Sequence, residues 1–212
     1  MTSNGNSVNI QKPPLPGGGD GDVRASYHHG DLRSALIAAG MAALDAAPAA
    51  ALSLRALARS AGVSATAVYR HFPDKDALLT ALGMAALDHM GQAQRAAMAA
   101  ADDAGQKAAL AASGAAYVRY AIAHPELFRL IWTLDLPHDV LSVPIEQSHP
   151  AMQGLRRAVR GLLPDGASTQ DQRAAALHCW ALVHGLAMLA LDRHIHLDDA
   201  TLARVLGGMD MG

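Results

Sequence analysis

The sequence predicts an all-α protein of about nine helices, and three observations carry that expectation. First, hydrophobic residues make up 51% of the 212 positions but aromatic residues only 4%. The apolar surface therefore comes largely from Ala, Leu, Val and Met, which suits helices better than sheets. Second, no stretch of any length alternates apolar and polar residues with a period of two, the pattern of a half-buried strand. Third, Ser, Gly and Pro recur where helices would start and stop. The chain is long enough for one ordinary domain plus a small module. A division into residues 1–25, 26–75 and 76–212 follows from the punctuation described next.

Residues Met1 to about Ala25 are rich in Gly, Pro, Asn and Ser without apolar periodicity, and read as a disordered leader. It lacks a basic start followed by an apolar run, so it does not read as a secretory signal. Helical signals begin at Asp31: Leu32, Leu36, Gly40 and Leu44 recur every fourth position, and Pro48 closes the segment. Ser53 is a good N-cap for a short helix from Leu54 to Ser60, which Gly62 ends. Ser64 caps a second short helix reaching His71. Pro73 and Asp74 interrupt the chain, and a long helix runs from about Lys75 towards Ala100.

Beyond Gly105 a helix is expected over Gln106 to Ala123. His124-Pro125 then opens a short helix, Glu126 to Leu134, with proline in the first turn. Three prolines make Pro137 to Pro150 a loop. Further helices are expected over Ala151–Leu163, Gln170–Arg193 and Asp198–Leu206. The longest apolar stretch, Ala174 to Leu191, is broken by His178, His184 and Gly185 and reads as a buried helix rather than a membrane span.

Charge excludes little. The net charge is −2, yet Arg24 to Thr80 carries six basic and four acidic residues. That mild asymmetry permits contact with phosphates without demonstrating it. Cys179 is the single cysteine, which rules out an internal disulfide framework and fits a reducing cytoplasm.

The most informative run is Ser53 to Leu79. Two short helices joined by three or four residues must cross steeply, and their closest approach tolerates only a small side chain, for which Ala58 is placed. The turn needs a residue free to adopt positive φ, and Gly62 supplies it. Leu54, Leu57, Val63 and Val68 fall where a shared core requires apolar groups. Every local choice agrees with a helix-turn-helix unit. The tail Tyr69-x-His71-Phe72-x-x-Lys75-x-x-Leu78, together with the spacing of Ala58 and Gly62, resembles the DNA-binding domain of the TetR family over about residues 28–80.

The resemblance implies that Ser64 to His71 is the recognition helix, entering the major groove of double-stranded DNA. Ser64, Ala65 and Thr66 would meet base edges or nearby phosphates, the Thr66 methyl being able to touch a thymine methyl. Tyr69 and His71 would hydrogen-bond phosphates and Lys75 would supply a charge to one. Arg55 and Arg70 are further candidates, equally readable as solvated charges. Phe72 reads as core. Arg24, His28 and His29 could form an arm touching DNA or belong to the leader.

The runs Ala115 to Trp132 and Trp180 to Leu191 are similar to a TetR subgroup marked by a Trp, His, Gly trio, here Trp180, His184 and Gly185. Trp180 and His184 lie four apart and share a helix face. The resemblance implies that the last two helices pair with their copies in a homodimer. Leu177, Val183, Leu186, Leu189 and Leu191 fit that role and fit a monomer core equally well. It also implies a small-molecule effector held among the middle helices. Met84, Tyr117, Phe128, Trp132, Trp180, His184 and Met188 are the candidate lining residues, although aromatic and Met residues at helical spacing are more often plain core; Trp132 stands out because it ends a short helix beside a loop. The expected protein is thus a cytoplasmic DNA-binding regulator, by family habit a repressor released from a palindromic operator by ligand.

Two other classes fit the sequence less well. A metal-dependent enzyme would need paired ligand spacing. His178 and His184 point to different helix faces, and the His194, His196, Asp192, Asp198, Asp199 cluster reads as a solvated helix-end loop. No cofactor is expected: Gly17-Gly18-Gly19 is no phosphate-binding loop, and Cys179 does not face His178 as a nucleophile pair would. A helical protein-interaction module would have no use for Thr66, Tyr69, His71 and Lys75 together.

Overall fold

The computed structural model describes residues 29–136 and 139–208; the leader expected over 1–25, Arg24 and His28 lie outside them. Among the described residues there are nine α-helices and no strand. They are α1 His29–Ala46, α2 Leu54–Ser60, α3 Ala65–His71, α4 Lys75–Ala100, α5 Gln106–Ala123, α6 Pro125–Ile131, α7 Pro150–Leu162, α8 Thr169–Leu191 and α9 Asp199–Gly207. Single 3-10 turns occupy Ala49–Ala51, Asp102–Ala104 and Ile145–Gln147. All-α architecture follows from the composition as expected.

The two N-caps expected at Ser53 and Ser64 form, and Asp74 and Ser168 add caps that were not expected. Ser53 Oγ accepts from Ala56 N at 3.1 Å, Ser64 Oγ from Ala67 N at 3.2 Å, and Asp74 Oδ1 from Ala77 N at 2.7 Å. Each satisfies an amide left over at a helix start. Ser168 and Asp171 close a reciprocal capping box on α8.

The ends of two helices differ from expectation for local reasons. α6 stops at Ile131, short of Leu134. Successive i→i+3 bonds (Trp132, Thr133 and Leu134 amides to Arg129, Leu130 and Ile131 carbonyls) tighten the chain, and Thr133 Oγ1 donates back to Leu130 O at 2.8 Å. α8 stops at Leu191 because Arg193 takes φ 59°. The amides of Arg193 and His194 then bond Ala190 O and Leu189 O, a Schellman closure built on arginine where glycine is usual.

The chain divides into two compact units. In one, described over 29–87 and 124–135, α1 buries Leu36, Met41 and Leu44, while α2, α3 and α4 contribute Leu54, Leu57, Ala58, Val68, Leu78 and Leu82. Gly40 lets α1 lie close against Leu82 of α4: a Cβ there would lie 2.7 Å from Leu82 Cδ2. α6 docks through Leu127, Phe128 and Ile131, and through polar ties to α1 and the turn after it. His124 Nδ1 lies 2.7 Å from Asp45 Oδ1, with His124 fully buried, and Ala49 N donates to Glu126 Oε2 at 3.2 Å.

In the other unit, described over 88–123, 136 and 139–208, α5 packs against α7, α8 and α9. Its buried residues include Ala109, Gly114, Ala115 and Ala121, small enough to let three helices approach. Arg119 bonds Asp199 at 2.7 Å and so ties α5 to α9. Arg173 pairs with Asp139 at 2.7 Å, and Arg156 donates to Val143 O, which fixes the segment before α7.

Candidate functional site

α2 and α3 meet through a turn whose geometry is set by a single residue. Gly62 has φ +67°, in the left-handed region. The amide of Gly62 bonds Arg59 O and that of Val63 bonds Ala58 O at 3.0 Å. Ala58 is 3% exposed at the crossing, beside Leu54, Leu57 and Val68. Val63 is only half-buried. With one face of each short helix consumed by this core, the opposite faces point to solvent.

None of the candidate DNA-contact residues is buried, and Lys75 lies not on these two helices but at the start of α4. Arg55, Ser64, Thr66 and Arg70 are exposed, Ala65, His71 and Lys75 half-buried, and Tyr69 is 44% exposed. Tyr69 thus turns its ring outward while the adjacent Val68 is buried. Ser64 spends its acceptor on capping, which leaves its O–H free to donate. Lys75 Nζ donates to Ala50 O at 3.2 Å, so the ammonium is held at the turn after α1 with two further donors. Phe72 is 1% exposed, a core residue as expected. From Ser53 to Phe72 the chain holds Arg55, Arg59, Arg70 and His71 and no acid. That local run, more than the charge of the wider segment, is the electrostatic signal.

One of the six basic residues between Arg24 and Thr80 has a placement that its sequence position does not suggest. Arg33 on α1 is exposed and sets its guanidinium carbon 5.3 Å from the centroid of the Phe72 ring. Nothing local in sequence joins positions 33 and 72.

The candidate effector residues fall into two groups. Met84, Phe128 and Trp132 belong to the unit holding α1 to α3. There Phe128 is fully buried and meets Trp132 edge-on at 5.8 Å, while Trp132 and Met84 are 37% and 39% exposed. Tyr117, Trp180, His184 and Met188 belong to the other unit. Tyr117 Oη lies 2.9 Å from His184 Nδ1 and is hydrogen-bonded by Trp180. An indole N–H can only donate, so the tyrosine oxygen accepts from it. The Tyr117–His184 bond forms with either side chain donating, according to the imidazole tautomer. Burial raises the Tyr117 phenol above its usual range, opposed by the Trp180 hydrogen bond, and burial pushes His184 below the usual imidazole range. Both directions favour this neutral relay. Met188 is half-buried one turn further along α8.

α8 is divided lengthwise. Ala176, Cys179, Val183 and Ala187 are buried, and burial raises the Cys179 thiol. Leu177 and Leu189, by contrast, are 48% and 43% exposed, with Ala174, His178 and Ala181 beside them. At Gly185 an added Cβ would meet nothing within 4 Å. By length and composition α8 is apolar enough to cross a membrane. Among the described residues no group of three or more His, Cys, Asp or Glu is placed to hold a metal ion.

A three-helix head with an uncovered, acid-free recognition helix is a helix-turn-helix of the DNA-binding type. Residues 36–82 match the model for bacterial regulatory proteins of the tetR family, and residues 110–207 that for the tetracyclin repressor-like C-terminal domain. The chain belongs to the TetR family of transcriptional regulators. It is similar to a protein of unknown function from Rhodococcus sp. RHA1, at 33% identity over 85% of this chain and 92% of that one, with a TM-score of 0.62. A possible TetR family transcriptional regulator from Streptomyces coelicolor A3(2) shares the fold at 20% identity, covering 84% and 90%, with a TM-score of 0.54. No curated protein matches the chain.

Proposed function

We propose that this protein is a cytoplasmic, homodimeric repressor that binds a two-fold symmetric operator through α3 and leaves it when a small-molecule effector binds. The observation that carries the reading is the outer face of α2–α3: Tyr69 exposed, Thr66 and Arg70 beside it, and no acid from Ser53 to Phe72. Ser64, Ala65 and Thr66 meet base edges, and Tyr69, Arg70, His71, Lys75 and Arg55 grip phosphates. Residues 26–75 act as the reading head and 76–212 as the effector and dimer domain.

The apolar stripe of Leu177, Ala181 and Leu189 on α8 supports the dimer. An exposed apolar surface of this kind is what a second copy covers, and Gly185 gives room for a helix to cross. Two-fold pairing places two recognition helices about 34–36 Å apart or a multiple of that, matching half-sites on one side of the duplex. Effector binding then needs a coupling of only about 1–3 kcal/mol to displace the heads. The candidate effector-lining residues are Tyr117, Trp180, His184 and Met188 in one unit and Met84, Phe128 and Trp132 in the other.

The test is selection of bound duplexes from a random pool, followed by titration of the selected site with wild type and a Tyr69→Ala/Lys75→Ala variant. A short symmetric consensus, bound tightly by wild type and weakly by the variant, is expected. Failure to enrich any sequence, with both proteins binding alike, would remove the reading.

A further inference from the structure

Resting on that reading, we infer that Arg33 is a phosphate-contact residue of the operator interface, held in position by Phe72. The guanidinium lies 5.3 Å from the Phe72 ring centroid, within the range of a cation–π stack. Phe72 is 1% exposed and directly follows His71, the last residue of the recognition helix. Its ring is therefore fixed by the core, and the arginine lies on it from outside.

A guanidinium uses its flat face to stack, while its N–H groups radiate in the plane of the group and remain able to donate. The stack thus orients a fork of donors beside Phe72, the residue that follows α3. A phosphate accepts such a fork in bidentate fashion. Restricting the side chain before DNA arrives lowers the entropy lost on binding, which a free surface arginine would lose in full. Lysine at this position would keep the charge and lose both plane and fork. Arg33 extends the grip from α2, α3 and the start of α4 to a fourth element, α1.

The measurement is operator affinity across a salt series for wild type, Arg33→Met and the Tyr69→Ala/Lys75→Ala variant, on the selected site and on a scrambled duplex. Methionine keeps apolar cover over the ring and removes the donors. The expected result for Arg33→Met is about tenfold weaker binding, similar on both duplexes, with the log–log salt slope reduced by about 1. An unchanged slope and affinity would overturn the assignment and leave Arg33 as a cover for Phe72. If Arg33→Met melts below wild type, Arg33→Lys is measured in its place. Partial loss of affinity with the slope kept supports the proposal, and full wild-type affinity overturns it. Should wild type itself fail to prefer the selected site, the fault lies with the regulator reading and not with Arg33.

Discussion

Replacing Gly62 by alanine isolates one physical cost. At φ +67° a side chain on an L-residue is strained, yet a Cβ at this position would meet nothing within 4 Å. Overpacking therefore contributes nothing, and the penalty is the left-handed backbone alone, about 1–2 kcal/mol. Alanine also stiffens the unfolded chain, which returns about 0.4–1 kcal/mol. The net expectation is a loss of about 1 kcal/mol, and asparagine, which tolerates this region, should lose less than alanine. Urea unfolding followed by circular dichroism, at matched slope, gives these differences directly. Gly40 supplies the contrast. Its backbone is unstrained, but a Cβ would press on Leu82 at 2.7 Å, so Gly40→Ala costs through packing, about 1–3 kcal/mol. If Gly62→Ala were stabilising, the left-handed turn would not be the constraint; a loss above about 3 kcal/mol would mean that unseen contacts crowd the turn.

Three further outcomes follow from the packing and the charges. Asp45→Ala removes the partner of the fully buried His124 and should lower stability by about 1.5–3 kcal/mol, read by urea unfolding. Tyr117→Phe breaks the Trp180–Tyr117–His184 relay inside the α5–α8 contact. A loss of about 1–3 kcal/mol is expected, and a neutral result would mean that water replaces the hydroxyl there. The Arg173 and Ser142 hydrogen bonds hold the Asp139 carboxyl down at about 2 against an ordinary 3.8. With its folded value depressed, its stabilisation is complete above the ordinary carboxylate value and is lost as pH falls towards 2. The melting deficit of Asp139→Asn should accordingly be present at pH 6 and shrink as the pH falls below 4, whereas a deficit independent of pH would contradict the pairing.

Much of this molecule was legible before any coordinates because its signals are local. Ser53, Ser64, Gly62 and the Pro73-Asp74 break each act within a few residues, so α2, α3 and the turn between them could be placed from spacing alone. The helix ends that were misplaced, at Ile131 and Leu191, depend on Thr133 bonding back to Leu130 and on an arginine adopting positive φ, neither of which has a sequence signature. Long-range partnerships were silent for a different reason. The residue types of the Phe72–Arg33 stack and the His124–Asp45 tie name no partner, and only folding brings positions 39 or 79 apart into contact. The apolar residues of α8 show the same limit: Val183 and Leu177 are alike in sequence, and the helix places one inside and the other out.

The most direct test of the account is whether one selected duplex engages two reading heads. Fluorescence anisotropy and sedimentation would be measured on the intact symmetric site and on a duplex carrying a single half-site. Two chains per intact site, and binding of the half-site weaker by 100-fold or more at about 0.15 M salt, is the result a two-headed operator reader predicts. One chain per duplex with equal affinity for both fragments would contradict it.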